Sequence, residues 1–255
     1  MSEIAARPHR MRTIGILGGM GPEATILLMQ RIMERTPAPA DGRPRDDADH
    51  VPLLVDDNTQ VPSRIRHLVE KTGEDPGPTL AAMARRLEAA GAAALAMPCN
   101  TAHAYAPAIR GAARVPFLDM LALTAAAAAE MAEGPAGILA SPATEITGIF
   151  TNAFAAPATG PARRVLHPAD RGRMLAAIRA VKAGDMENAR PVLTDAAAEL
   201  AAAGARVLVV GCSEFSLLSR PLAAAAPEGV TVVDTLDVLA DACVSFALAP
   251  ETVPA

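Results

Sequence analysis

Two of the three cysteines stand in matching surroundings. Cys99 lies in "AAGAAALAMPCNTAH" (89–103) and Cys212 in "AAGARVLVVGCSEFS" (202–216). Each stretch reads as a helix end, a glycine stop, an apolar strand, a cysteine at the strand's carboxyl end, a small polar residue and then a helix. A free thiol titrates near pH 8.5, and a helix N-terminus or a nearby cation lowers that value, so thiol and thiolate are both accessible near neutrality. One thiolate can remove a proton from carbon, and a thiol on the opposite face can return one. Inversion of a stereocentre by general acid–base chemistry requires that pair of groups and no cofactor.

The third cysteine is the control. Cys243 falls in "LDVLADACVSFAL", where Leu236, Leu239, Ala240, Cys243 and Ala247 keep helical spacing, so it reads as a small buried hydrophobe. A metal reading is weak: Cys99 and His103 are four apart, but no CxxC or HxxxH accompanies them, and no metal is expected. "GILGGMGP" does not fit GxGxxG, so a nucleotide is not indicated. Two roles stay open for this glycine turn. It is either a structural strand-to-helix turn or a place where backbone N–H groups meet a carboxylate.

The elements that must position the thiols are legible as an alternation. Runs at 12–17, 51–57, 92–97, 115–119, 136–140, 163–167, 205–211 and 230–234 are strand-like, and each precedes a helix candidate. Such a period predicts an α/β fold of two pseudo-symmetric domains, each a parallel-type sheet flanked by helices, with the site in the cleft between them. Ligands in open α/β sheets bind outside the strands' carboxyl ends, which is where both thiols fall. The expected division is an N-terminal disordered extension (1–11), a first domain from 12–118 plus 228–255, and a second from 119–227. Gly91 and Gly204 are expected to close helices and Pro22 to open one. Residues 37–50, with three prolines and no hydrophobic period, form an exposed loop or a lid.

Composition narrows the function classes. The 255 residues are 51% hydrophobic, enough for a substantial core. With 23 basic and 28 acidic residues, a formal charge of −5 and 2% aromatics, the chain lacks a basic stripe and stacking platforms for nucleic acid. Its most apolar stretch, 117–140, is broken by Asp119, Glu130, Glu133 and Gly134-Pro135, which is wrong for a membrane span. The opening "MSEIAARPHR" carries no apolar run of signal-peptide length. We therefore expect a cytoplasmic protein with free thiols.

"GILGGMGPEAT" (15–25), "MPCNTAH", "VKAGD" (181–185) and "GCSE" (211–214) together resemble the aspartate/glutamate racemase superfamily, in the same order, over nearly the whole chain from Arg12 to Leu248. Within it the aspartate racemases are the better match. Glutamate racemases proper carry Asp-Ser where this chain has Gly18-Gly19-Met20, and His where it has Glu214. The resemblance implies pyridoxal-phosphate independence, no cofactor, a small dicarboxylic amino acid as substrate, and commonly a homodimer. It implies Cys99 and Cys212 as the paired acid and base. Arg64 and Lys182 would recognise the substrate carboxylates, with Met20 and Gln60 nearby. Asn100, Thr101, Ser213 and Glu214 would offer hydrogen bonds to the α-carboxylate and ammonium, as would Thr144 in "ASPAT". Ser213 replaces the more usual Thr, and "DDNTQVPSR" departs from the more usual asparagine-proline pattern. The alternatives are another isomerase, decarboxylase or lyase of the same superfamily, and a non-catalytic amino-acid-binding protein.

Overall fold

The computed structural model describes residues 11–250. Eight strands form, one in each strand-like run: β1 (Ile14–Gly18), β2 (Leu53–Asp57), β3 (Ala94–Ala96), β4 (Phe117–Leu118), β5 (Ala136–Leu139), β6 (Val165–Leu166), β7 (Val207–Val210) and β8 (Thr231–Asp234). They pair in parallel as two four-stranded sheets, ordered β2-β1-β3-β4 and β6-β5-β7-β8. The inner strands β1, β3, β5 and β7 are buried along their whole length, which their continuous apolar sequences require of strands covered on both faces. Outer strand β2 alternates between half-buried and exposed positions and carries Asp56 and Asp57.

The sequence similarity between the two cysteine stretches is a similarity of place. β3 and β7 each occupy third position in their sheet, so Cys99 and Cys212 leave equivalent strand ends. The fourth strands match as well. Asp119 after β4 accepts hydrogen bonds from Leu121 N and Ala122 N, and Asp234 at the end of β8 accepts one from Leu236 N, each capping the following helix. Those two helices, Met120–Ala129 and Thr235–Leu248, are where the chain crosses between halves, and they pack on one another. Met120 belongs to the core under the first sheet, while Leu121, Ala125 and Ala128 belong to the core under the second.

Local signals place the helix ends. Gly91 and Gly204 adopt φ of 100° and 97° after the Gly77–Ala89 and Met186–Ala202 helices, a conformation that costs glycine nothing. Pro22 opens the Pro22–Arg35 helix. One boundary moves. Residues 231–234 pair with β7 in the second sheet, so the return to the first half comes at Asp234–Thr235, later than the expected 228. Of the expected N-terminal extension, residues 1–10 lie outside the described residues, and Met11 packs against the first core. No helix among the described residues is long and apolar enough to cross a membrane.

Candidate active site

A cavity of about 400 Å³ opens between the two halves, and both cysteines line it. Cys99 reaches it from the end of β3, just ahead of a tight 3-10 turn, Thr101–Tyr105, and Cys212 from the end of β7, ahead of the turn Phe215–Leu218. Each turn runs into the expected helix, Ala106–Ala112 after the first and Ser219–Ala224 after the second. Nearby backbone N–H groups, of Ala102 at Cys99 and of Glu214 and Phe215 at Cys212, favour the thiolate at each sulfur.

The thiols differ in what else surrounds them. Each is only 7% exposed, and burial pushes both above the ordinary thiol value because a thiolate loses hydration there. At Cys99 the Arg64 guanidinium opposes that effect. At Cys212 the neighbouring Glu214 carboxylate adds to it, and the thiol is pushed well above that value. The Cys212 thiol donates a hydrogen bond to Glu214 Oε2 at 3.0 Å. Glu214 is itself largely buried, which raises its value, but the Cys212 hydrogen bond and the Lys182 ammonium outweigh burial and hold it below the usual range. Lys182 Nζ lies 3.0 Å from Glu214 Oε1. Arg64 is fixed from the other side by the carbonyls of Val61, Pro62 and Met20 at 3.3, 3.1 and 3.4 Å.

Residues 17–243 match the family model described as Asp/Glu/Hydantoin racemase. The chain belongs to that family. An aspartate racemase from Picrophilus torridus is 25% identical with a TM-score of 0.78, over 92% of this chain and 94% of that one. Two structures share the fold at lower identity. An aspartate racemase homologue from Pyrococcus horikoshii is 17% identical, with TM-score 0.67 over 93% of this chain and 99% of that one. Glutamate racemase isoform RacE1 from Bacillus anthracis is 18% identical, with TM-score 0.65 over 95% and 85%. The racemase family makes this chain an isomerase.

Among the residues the sequence singles out, Met20, Arg64, Cys99, Asn100, Thr101, Lys182, Cys212, Ser213 and Glu214 line the cavity. Gln60 and Thr144 do not. Gln60 is exposed, its backbone N–H bonded to Asn58 Oδ1 and its amide directed at Thr59. The Thr144 hydroxyl donates to Ser141 O at 2.8 Å, and Ser141 takes the place in the lining. Nor do residues 37–50 line it; they form an exposed loop held by an Arg43–Asp49 pair.

At Gly19 the glycine turn has a structural reason. A Cβ on Gly19 would fall 2.3 Å from the Asn58 backbone, and the Gly19 N–H is spent on Thr25 Oγ1 at 3.0 Å. Gly211 has the same kind of reason on the opposite wall, where a Cβ would meet the Phe150 ring at 2.6 Å. His103 uses both ring nitrogens, Nδ1–H donating to Cys99 O at 2.8 Å and Nε2 accepting from Met120 N at 3.2 Å. It supports the Cys99 turn and offers no free nitrogen to a metal.

Sequence reasoning missed Glu70, Leu175, Ile178 and Arg179, all in the lining. Arg179 precedes Lys182 by three residues on the Arg171–Lys182 helix, so the two share a face. That spacing was the available signal. Among the described residues neither Arg64 nor Arg179 forms an ion pair with an acid, whereas Lys182 is committed to Glu214.

Proposed function

We propose that this chain is a cofactor-independent amino-acid racemase that interconverts L- and D-aspartate, and glutamate less readily, with Cys99 and Cys212 as the two proton carriers. The observation that carries the reading is that both thiols line one cavity from equivalent strand ends. Their surroundings support different starting protonation states. Cys99, eased by Arg64, ionises first and serves as the base; Cys212, held by Glu214, stays protonated and serves as the acid. After transfer Cys99 holds the abstracted proton as a thiol and Cys212 is the thiolate, the state that turns over the other enantiomer; the starting state returns when Cys99 releases its proton to water and Cys212 takes one up.

Carboxylate recognition falls to Arg64 and Arg179, the lining cations without an acid partner. An Arg fork binds a carboxylate through two hydrogen bonds. Lys182 acts as the counter-ion of Glu214 and not as a substrate clamp. Asn100, in the cavity lining next to Cys99, is placed to contact the substrate ammonium. Charge that develops as the α-proton leaves is met by Arg64 and by the hydroxyls of Thr101 and Ser213. We also propose a cytoplasmic homodimer, the dimer to be checked by light scattering.

The test is incubation of L-aspartate in deuterium oxide without added cofactor, followed by chiral analysis, with L-glutamate in parallel. D-aspartate carrying deuterium at the α-carbon is the expected product. Cys99→Ser and Cys212→Ser should each lower racemisation by about a hundredfold or more. Parental rates in both variants would end the two-thiol mechanism. Turnover surviving Cys212→Ala alone would instead mark a one-base isomerase or lyase.

A further inference from the structure

Behind the cavity, Arg31, Ser216, Asp234 and Thr235 have no direct part in the chemistry, yet they are almost fully buried and converge on one place, the crossover at 234–237. From the Cys99 turn, Asn100 Nδ2 donates to Thr235 Oγ1 at 3.2 Å. The same Thr235 hydroxyl donates to Val210 O at 3.0 Å, two residues before Cys212. A single hydroxyl thus bridges the two strand ends that carry the thiols. From the Cys212 turn, Ser216 Oγ donates to Asp234 Oδ1 at 2.7 Å. Arg31, on the Pro22–Arg35 helix of the first half, donates through Nη2 to Ser216 O at 3.2 Å and pairs through Nη1 with Asp237 at 2.7 Å.

We propose that this cluster is a spacer: Thr235 and Ser216 are positioning residues that hold the Cys99 and Cys212 turns at the separation needed for proton transfer across one substrate carbon. The inference rests on the two-thiol reading and adds residues that touch neither substrate nor sulfur. The physical reason is the cost of leaving buried polar groups unpaired. Asn100, Thr235, Ser216 and Asp234 are all buried, so each hydrogen bond resists any drift that would break it. The bridge also spans the two halves, whose sheets share no strand pairing. A shift of about 1 Å between reacting groups can cost about a hundredfold in rate.

Thr235→Val keeps shape and removes the bridging hydroxyl; Thr235→Ser keeps the hydroxyl and removes a methyl group. Ser216→Ala removes the second tie. Two readouts are taken on each folded variant: aspartate racemisation, split into kcat and KM, and bridging of Cys99 to Cys212 by dibromobimane, with the linked peptides identified by mass spectrometry. Buried Cys243 is excluded by that mapping. We expect Thr235→Val and Ser216→Ala to lower kcat by about 10- to 100-fold with KM changed less than about threefold, and to slow bridging. Thr235→Ser should restore both. Bridging and kcat at parental levels in Thr235→Val would overturn the spacer, as would a Thr235→Ser variant as impaired as Thr235→Val, since packing and not the hydroxyl would then matter. Bridging needs no turnover, so a parent protein that fails to racemise aspartate refutes the proposed function while leaving the cross-link to decide the spacer.

Discussion

The Cys99 and Cys212 turns are alike in backbone and opposite in charge. Both follow the third strand of a parallel sheet, both pass into a 3-10 turn, and both bury a thiol to the same degree. Beside one stands a guanidinium, beside the other a carboxylate. A duplicated architecture supplies two sulfurs to one cavity, but symmetric electrostatics would leave both in the same protonation state. The proposed one-proton transfer in each direction needs them different. The asymmetry comes from residues outside the matching stretches, Arg64 and Lys182, and from Glu214, where the two stretches diverge.

The strongest way to break this comparison is to remove each charge in turn. Arg64→Gln should drive Cys99 alkylation by iodoacetamide to higher pH, because the cation that opposes burial is gone. Glu214→Gln should draw Cys212 alkylation to lower pH, because an adjacent anion no longer disfavours the thiolate. Peptide-resolved alkylation rates across a pH series read both directions. Racemisation should fall about a hundredfold in each variant, by general acid–base loss in one and loss of charge stabilisation in the other. If both thiols moved the same way, or neither moved, the assignment of base and acid would be wrong.

A smaller effect sharpens the comparison on the cationic side. Succinate has two carboxylates and no ammonium, so its binding reports on carboxylate recognition without turnover. Arg179→Gln should weaken succinate about tenfold or more by calorimetry, the loss of one charge-assisted pair, while leaving acetate within about twofold. Lys182→Gln should weaken succinate less than Arg179→Gln does, because Lys182 already faces Glu214. The reverse order would return the substrate contact to Lys182.

The strands, the glycine stops and the paired cysteines were legible because each depends on local chemistry: continuous apolar runs, left-handed backbone after a helix, and a repeated pattern. What was not legible depends on contacts between distant segments. Arg179 lacks a motif of its own and reaches the cavity only because its helix presents the face it shares with Lys182. Thr144 carries the right chemistry, but its hydroxyl folds back on Ser141. "GILGGMGP" is equally suited to a carboxylate and to a turn; only the Asn58 backbone pressed against Gly19, from a loop some forty residues later in sequence, gives that glycine its structural reason. The late crossover at Asp234 has the same origin, since only pairing with β7 assigns 231–234 to the second sheet.

His103 gives the mildest test, and it separates support of the Cys99 turn from chemistry at the thiol. Burial pushes its imidazole below the ordinary value, with Asp119 opposing only in part. The neutral ring is required, because Nε2 accepts from Met120 N while Nδ1–H donates to Cys99 O. In the unfolded chain the same histidine takes up a proton near pH 6.5. The unfolded state then binds more protons than the folded one, so this contribution to stability is complete above about pH 6.5 and lost as pH falls below it toward the folded value. Urea midpoints from pH 7.5 down to 5.5 should decline in the parent and decline less in His103→Gln, whose amide can replace one of the two hydrogen bonds but cannot titrate. That variant should lose about 1 kcal/mol at pH 7.5, the net worth of one ordinary hydrogen bond. An unchanged pH slope in His103→Gln would mean that another group, such as His167, whose burial also lowers its value, carries the acid sensitivity.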